Sequence, residues 1–377
     1  MSAVIAGFAR SPFTRAMKGE LSVKRPDDIA SEVINALIRD NKLNPELIED
    51  LIVGTAFPEA EQGYNLARLL IFLTDLPTTV PGVTINRFCG SSMQAIHDAA
   101  GRISLGAGEA FIAGGIESMS RIPMTGFNPM PNPKLIDQYP SAFTSMGITA
   151  ENLAEKFNIS REEQELFAIE SHKKANSARE LGNFTEEIVP ITTEAGIIEG
   201  DGCIRPDTNQ ESLAKLNPAF LEKGSVTAGT SSPLTDGAAF VLVCSSKFAE
   251  ENNLKIMAKI TSTAVSGCLP EIMGIGPVEA TKKALKRAGI KLENVDVVEL
   301  NEAFAAQSIA VINELELDRN KINIDGGAIA LGHPLGASGA RITGKAAQIL
   351  NRTDSKIALA TMCIGGGQGI ATILEKP

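Results

Sequence analysis

A chain of 377 residues with 44% hydrophobic content is too long for one small core and apolar enough to fill two or three layered ones. Its 35 basic residues against 45 acidic ones leave a formal charge of −10, the wrong sign for a surface that tracks a nucleic-acid backbone. That balance argues against nucleic acid but leaves room for a small anionic ligand, because helix N-termini and single arginines bind phosphate within acidic proteins.

The opening stretch MSAVIAGFARSPFTR has a short apolar run without a preceding basic segment or a small-residue cleavage site, so it is expected to be a first strand rather than a leader. No other apolar run reaches membrane-spanning length, and no membrane is expected as a partner. Thirty-four glycines, 5% aromatics and no tryptophan suit an α/β protein with many tight strand-to-helix turns. Five scattered cysteines, Cys89, Cys203, Cys244, Cys268 and Cys363, show no CxxC spacing. That pattern argues against a disulfide framework or a zinc site and points to the reducing cytoplasm.

Along the chain, ALIRDNKLNPELIEDLIVGTAF (36–57) reads as helix, turn and buried strand, and ALKRAGIKLENVDVVELNEAF (284–304) repeats that order about 250 residues later. GEAFIAGGIESMS (108–120) and SKIALATMCIGGGQG (355–369) form a second pair at a similar offset, each an apolar strand ending in small residues. Two pairs at one offset favour a duplicated unit over a chance likeness of two βα units. The expected halves are 1–120, completed by about 226–248, and 249–377. Their continuous Val/Ile/Ala strands suit sheets covered by helices on both faces. Segment 121–225, with its Pro- and Asn-rich turns and the charged helix SREEQELFAIESHKKANSARELG, reads as an inserted lobe.

Four stretches carry candidate chemistry. In GVTINRFCGSSMQAIHDAAGRI (82–103) a strand at Val83–Ile85 enters a turn at Cys89-Gly90-Ser91-Ser92, followed by a helix with Met93, Ile96 and Ala100 on one face. Cys89 is thereby expected at a helix N-terminus, where partial positive charge favours thiolate and pulls the pKa below the free-cysteine value of about 8.5. A buried structural cysteine is the competing reading. INIDGGAIALGHPLGASGARI (322–342) reads as a strand, a Gly-rich turn and a helix, with His333 at the turn apex as a proton acceptor. His97 and His172 fall on helices and read as structural or solvated. In ATMCIGGGQG (360–369) Cys363 ends a strand, and the glycines after it leave backbone N–H groups free for an oxyanion. Asn301 and Glu302 interrupt an apolar strand-to-helix transition, where a helix-capping Asn is the plain alternative.

Together NRFCGSSMQAIHDAA, NEAFAAQ, GGAIALGHPLGASGARI and CIGGGQG resemble the four signature blocks of thiolases, in that family's order. The resemblance implies an α/β thiolase fold of duplicated βαβαβαββ halves in a layered αβαβα core, with an inserted loop domain that holds coenzyme A. It further implies Cys89 as acyl-accepting nucleophile, His333 as its base and Cys363 as acid/base at the substrate α-carbon. Asn301 would orient a water that binds the thioester oxygen with His333, and the amides of Cys89 and Gly365 would form a second oxyanion hole. Arg205 and Ser212 in IRPDTNQESLAKL and Ser232 in TAGTSSPLTDGAA match coenzyme-binding positions, and Met146 and Phe304 match the acyl-pocket lining.

What the resemblance implies functionally is an acyltransferase that cleaves 3-ketoacyl-CoA with coenzyme A as co-substrate and no resident cofactor. A homodimer is favoured over a tetramer because Ile122–Ser145 is shorter than the tetramer-forming stretch, and a fatty-acid β-oxidation multienzyme partner fits as well. Residue choices in CGSSMQAIHDAA and TMCIGGGQGIA are more similar to β-oxidation 3-ketoacyl-CoA thiolases, as is Ser145 before Met146-Gly147 where acetoacetyl-CoA enzymes commonly carry histidine. Ala337 is shared with the acetoacetyl-CoA enzymes, so a C4-only acetyltransferase is the alternative, and Asn217 replaces a family-typical arginine. Other condensing enzymes of this fold lack a second cysteine in a CxGGGxG context, and a non-catalytic lipid-binding scaffold would be expected to show a degraded site.

Overall fold

The computed structural model describes residues 2–377. Its first half contains strand β1 (Ala3–Arg10), helix α1 (Pro26–Asp40), strands β2 (Asp50–Gly54) and β3 (Gly82–Ile85), helix α2 (Ser91–Ser104) and strands β4 (Ala110–Ser118) and β5 (Thr235–Ser245). The second half contains β6 (Ala258–Gly267), α3 (Gly276–Ala288), β7 (Val297–Leu300), α4 (Ala305–Leu315), α5 (Leu335–Arg352), β8 (Ile357–Ile364) and β9 (Gln368–Glu375). Local signals set the ends of these elements. Pro26 and the acidic Asp27 and Asp28 open α1, and Gly289 closes α3 at a φ of +68°, a left-handed conformation that suits glycine.

The duplication is visible in strand order. In the first half the strands lie β3-β2-β4-β5-β1, the third, second, fourth, fifth and first strands of the unit. β3, β2 and β4 are mutually parallel, and β5 and β1 run antiparallel to their neighbours. The second half repeats that order and those directions with β7-β8-β9-β6, but its third strand has shrunk to one parallel bridge between Val298 and Ile322. The strand expected at the start of INIDGG is thus a correction: Asn323 adopts a positive φ of 44° and its side chain bonds back to β7, which ends extended pairing. The two sheets meet along a seam of two residue pairs, Val4 with Lys259 and Ile5 with Ala258.

Each strand sends alternate side chains to two cores. Leu51 and Val53 point outward under α1, while Ile52 between them points inward. Leu359 joins the outer core beneath α3 and α4, while Ala358, Ala360 and Met362 join the inner one. That inner core is filled by α2 and α5, which lie side by side between the sheets. Every residue of α5 from Leu335 to Leu350 is buried, as a helix covered on all sides requires. The result is the layered helix, sheet, helix pair, sheet, helix arrangement expected from the resemblance.

Close packing of this centre depends on small residues. A Cβ at Gly339 would lie inside van der Waals contact of the Met93 backbone, and one at Gly115 would overlap the carbonyl oxygens of Gly336 and Gly54. Between β4 and β5 the chain makes a long excursion that includes helices Met146–Lys156 and Arg161–Glu180, the latter opened by a Ser160/Glu163 capping box. Buried ion pairs tie this excursion to the core. Arg10 of β1 holds Glu187 and Asp201 at 2.7 Å each, and Lys345 of α5 holds Glu187 at 2.7 Å and Asp325 at 3.0 Å. Buried charges without a partner cost several kcal/mol, so each member depends on the others.

A methyl group at Gly115 has only backbone to displace. Gly115→Ala is expected to lower unfolding stability by about 2–3 kcal/mol in urea titrations and to reduce activity as well, since the turn it displaces carries His333. A neutral effect on both would contradict the packing described.

Candidate active site

Cys89 and His333 occupy matching stations in the two halves. Each lies two residues before its central helix, Cys89 ahead of α2 at Ser91 and His333 ahead of α5 at Leu335. The helices are pinned to each other at this end, where the Ala340 N–H donates to Ser92 Oγ at 2.8 Å. The turn before Cys89 is tight. Phe88 takes a left-handed φ of +43°, Ser91 Oγ accepts from the Arg87 N–H at 2.8 Å, and Ser91 Oγ donates to the Phe88 carbonyl at 2.6 Å. A bulky residue in that region stores strain, and here the strain sits next to the candidate nucleophile.

Cys363 is the penultimate residue of β8, and burial pushes its thiol up, with the negative form of Cys89 adding to the shift. Two consecutive left-handed glycines, Gly366 at φ +77° and Gly367 at φ +82°, turn the chain after Gly365, and a Cβ at Gly367 would strike the Cys268 carbonyl. This turn aims the Gly365 N–H at the Cys89 thiol, which also receives its own backbone N–H. The two amides expected to share an oxyanion therefore converge on Cys89. Cys363 packs with Phe304, Ala303, Met273 and the half-buried Met146, so the two acyl-lining candidates touch the second thiol's surroundings.

His333 is held by three contacts. Its N–H donates to Thr235 Oγ1 at 3.0 Å, Nδ1 lies 2.6 Å from Ser338 Oγ, and Nε2 lies 3.3 Å from Asn301 Nδ2. Ser338 Oγ spends its only proton on the Pro334 carbonyl at 2.8 Å, so it accepts from Nδ1–H and leaves Nε2 unprotonated, its lone pair accepting from Asn301 Nδ2 at 3.3 Å. Nε2 is the atom that can take a proton. Asn301 is fully buried and its Oδ1 has no partner, so a polar group aimed into this cleft remains to be satisfied. The capping alternative for Asn301 fails, because Phe304 occupies the cap position of α4. Glu302 points away from the thiols and accepts from Ser171 Oγ at 2.6 Å, Asn323 Nδ2 at 2.7 Å and the Ile329 N–H at 3.2 Å.

The coenzyme candidates are spread along the excursion. Ser232 is anchored to the NEAF segment, with its N–H and Oγ both donating to the Ala303 carbonyl at 3.0 Å. Arg205 presents an exposed side chain, while its N–H donates to His172 Nδ1 at 3.2 Å. Ser212 serves the five-residue helix Gln210–Ala214, exchanging hydrogen bonds with Asn209. His172 is buried rather than solvated, and His97 bonds Thr372 Oγ1 at 2.8 Å, so both act structurally. Ser338 and Glu117 were not singled out from sequence. Ser338 stands one turn past His333 in GHPLGAS, a spacing that could have flagged it, whereas Glu117 carries no local signal because its partners come from three distant segments.

The thiolase N-terminal domain profile matches residues 3–247 and the thiolase C-terminal domain profile matches residues 254–376. This chain belongs to the thiolase family. It is 45% identical to a 3-ketoacyl-CoA thiolase of Bacillus subtilis (99% of each chain covered) and 48% identical to one of Marinobacter nauticus (99% of this chain, 98% of the other). Among solved structures it resembles the Bacillus anthracis acetyl-CoA acetyltransferase (TM-score 0.92, 38% identity) and human mitochondrial 3-ketoacyl-CoA thiolase (TM-score 0.91, 39% identity), covering 100% of this chain and 99% of each of those.

Electrostatics correct one expectation drawn from sequence. The amides of Gly365 and Cys89 do favour thiolate, but burial outweighs them and the Glu117 charge adds to it, pushing the Cys89 thiol up to about 12. Cys89 exposes only 2% of its surface, and the openings beside it are the half-buried Gly365 and the exposed Gly366 and Phe88. Burial, assisted by the positive charge of Arg341, lowers His333 to about 3. The thiolase site at rest is therefore a neutral thiol beside a neutral imidazole, and proton transfer must accompany attack.

Two outcomes follow. Below about pH 10 thiolate is the minor form, so the rate of Cys89 alkylation by iodoacetamide should climb roughly tenfold per pH unit from 6 to 10. A plateau near neutrality would reveal a preformed ion pair instead. Ser338→Ala frees the imidazole to place its proton on Nε2 and should slow Cys89 acylation by about 10²-fold, measured by rapid-quench mass spectrometry, with the melting temperature little changed.

Proposed function

We propose that this thiolase-family chain cleaves 3-ketoacyl-CoA with coenzyme A, releasing acetyl-CoA and a shortened acyl-CoA, and runs the reverse Claisen condensation at the same site. Cys89 Sγ attacks the C3 ketone as its proton passes to His333 Nε2. The C2–C3 bond then breaks, its electron pair forms the enolate of acetyl-CoA, and Cys363 supplies the proton at C2. The thiol of coenzyme A gives its proton to the Cys363 thiolate and attacks the Cys89 thioester, acyl-CoA leaves, and Cys89 takes back the proton held by His333, so all three groups return to their starting forms.

Two anionic oxygens arise at different stages of this sequence, and each needs donors. The amides of Cys89 and Gly365 suit the tetrahedral oxygen on the Cys89 side. Asn301, with a water in the cleft, and His333 in its protonated form suit the thioester enolate. The single observation that carries the reading is the second thiol, Cys363, which precedes Ile364, the residue whose side chain packs on Gly90 next to Cys89. A condensing enzyme that works with one cysteine has no use for it.

Coenzyme A would lie along the exposed Arg205 toward Ser232, with Ser212, inside the short helix capped by Asn209, near its adenosine end, and Met146 and Phe304 would bound the acyl group. The steps need no resident cofactor. A homodimer is supported by edge strand β3, which has one unpaired side, and by exposed Tyr64, Phe72 and Leu73 near it. Residence in the cytoplasm and a place in β-oxidation fit this chemistry, and among the described residues no helix is long and apolar enough to cross a membrane. Ala337 and the likeness to the Bacillus anthracis acetyl-CoA acetyltransferase favour a second reading, a C4-only acetoacetyl-CoA thiolase.

Cys89→Ala should abolish acyl-enzyme formation, whereas Cys363→Ala should still be acylated at Cys89 by a simple acyl-CoA but lose carbon–carbon cleavage of 3-ketoacyl-CoA. Acyl-enzyme detection by mass spectrometry separates the two, and turnover by Cys89→Ala would sink the assignment. Comparing kcat/KM on C4 and longer ketoacyl-CoAs decides between the two substrate readings.

A further inference from the structure

The repeat that relates Cys89 to His333 also relates Cys363 to a residue with no assigned part in the chemistry. Cys363 is the penultimate residue of β8, the fourth strand of its half, and Glu117 is the penultimate residue of β4, the fourth strand of the other. Where the second half has its thiol, the first half has a carboxylate. Glu117 is 1% exposed and no cation contacts it. Instead Oε1 accepts from Gln62 Nε2 at 2.7 Å, Thr55 Oγ1 at 3.2 Å and the Phe57 N–H at 3.4 Å, and Oε2 accepts from the N–H groups of Ala56 at 2.7 Å and Gly336 at 2.8 Å. Burial pushes the carboxyl up from its ordinary range, and a shell of four N–H donors and a hydroxyl opposes that shift by favouring the anion.

The bond to Gly336 crosses from one half to the other. Gly336 lies three residues past His333, in the first turn of α5, where Pro334 at the cap position supplies no side-chain acceptor. Glu117 therefore satisfies a free N–H at the start of the helix that carries the base, using a strand that belongs to the half carrying the nucleophile. The turn rests directly on that strand, because a Cβ at Gly336 would press on the Ile116 carbonyl, Thr55 and Glu117 itself. The same carboxylate is the charged group that acts on Cys89, and it acts against the thiolate.

We propose that Glu117 is a positioning residue of the reaction: it fixes the His333 turn against the half of the molecule that carries Cys89. The proposal rests on Cys89 and His333 acting as nucleophile and base. Glu117→Gln keeps the shape of the side chain but gives one of its two positions donors in place of an acceptor, and it removes the charge. Glu117→Asp keeps the charge but withdraws it from Gly336.

The test uses the full-length protein and measures two quantities for each variant, the rate of Cys89 acylation by a 3-ketoacyl-CoA and the rate of Cys89 alkylation by iodoacetamide at pH 8. For Glu117→Gln acylation, which needs His333 in place, should fall by about 10–100-fold, while alkylation, which does not use His333, should not fall. For Glu117→Asp acylation should fall while alkylation stays within about twofold of the unaltered protein. A purely structural role moves both rates in the same direction, and either that result or an unchanged acylation rate in Glu117→Gln overturns the proposal. Should Glu117→Gln fail to fold, the Glu117→Asp pair of rates decides by itself. Absence of Cys89 acylation in the unaltered protein would count against the proposed reaction, whereas failure confined to the variants counts against Glu117.

Discussion

The constraint on which this molecule depends is the side-by-side packing of two central helices, α2 and the almost wholly buried α5, between two sheets. Each helix delivers one reactive group at its N-terminal end, so the distance between nucleophile and base is set by how closely the helices and their turns approach. Glycines at 115, 336 and 339 permit an approach at backbone distance, and side chains that reach across, such as Ser92 to Ala340 and Glu117 to Gly336, fix the register. Everything else in the fold can be read as support for that pair: sheets that cover it, outer helices that cover the sheets, and buried ion pairs through Arg10 and Lys345 that bind the long excursion to its flank.

Burial in this centre has a chemical effect as well as a structural one. A thiol and an imidazole deep in a low-dielectric interior both favour their neutral forms, so the resting protein does not carry the reactive ion pair that a more open site would hold. The N–H groups of Gly365 and Cys89 work in the other direction, and they are of most use when negative charge appears on the substrate. Neutral at rest and well supplied with donors during reaction is a coherent arrangement, because an exposed, permanently charged thiolate would be open to oxidation.

Much of this architecture was legible in the residues, for reasons that differ from element to element. The doubling announced itself because buried parallel strands require long apolar runs, and two such runs with matching helices recur at one offset. The strands at 50–54 and 297–300 follow from that alone. Cys89 and His333 could be singled out because each stands in a turn beside glycine, Cys363 because its strand runs into three glycines, and Asn301 because it interrupts an apolar run. The missing third strand of the second half could not, since the left-handed Asn323 and its bonds to β7 depend on tertiary context. The direction of the Cys89 shift was misjudged for a related reason: a helix end is visible in sequence, whereas the depth at which it is buried is not. Glu117 stayed hidden because its partners, at 55–57, 62 and 336, all lie far from it in the chain.

A final consequence lies in the unequal joints between the fourth and fifth strands. In one half that joint is three glycines, Gly365–Gly367, and in the other it is the whole excursion from β4 to β5. The glycine joint has no slack, since its left-handed residues and their contact with Cys268 leave nothing to vary without moving the oxyanion donor. Novelty in what the protein accepts must therefore accumulate in the longer joint. Selection can retune the acyl group on one side of the molecule while the bond-making apparatus on the other stays fixed, a division of labour that two identical halves could not have offered.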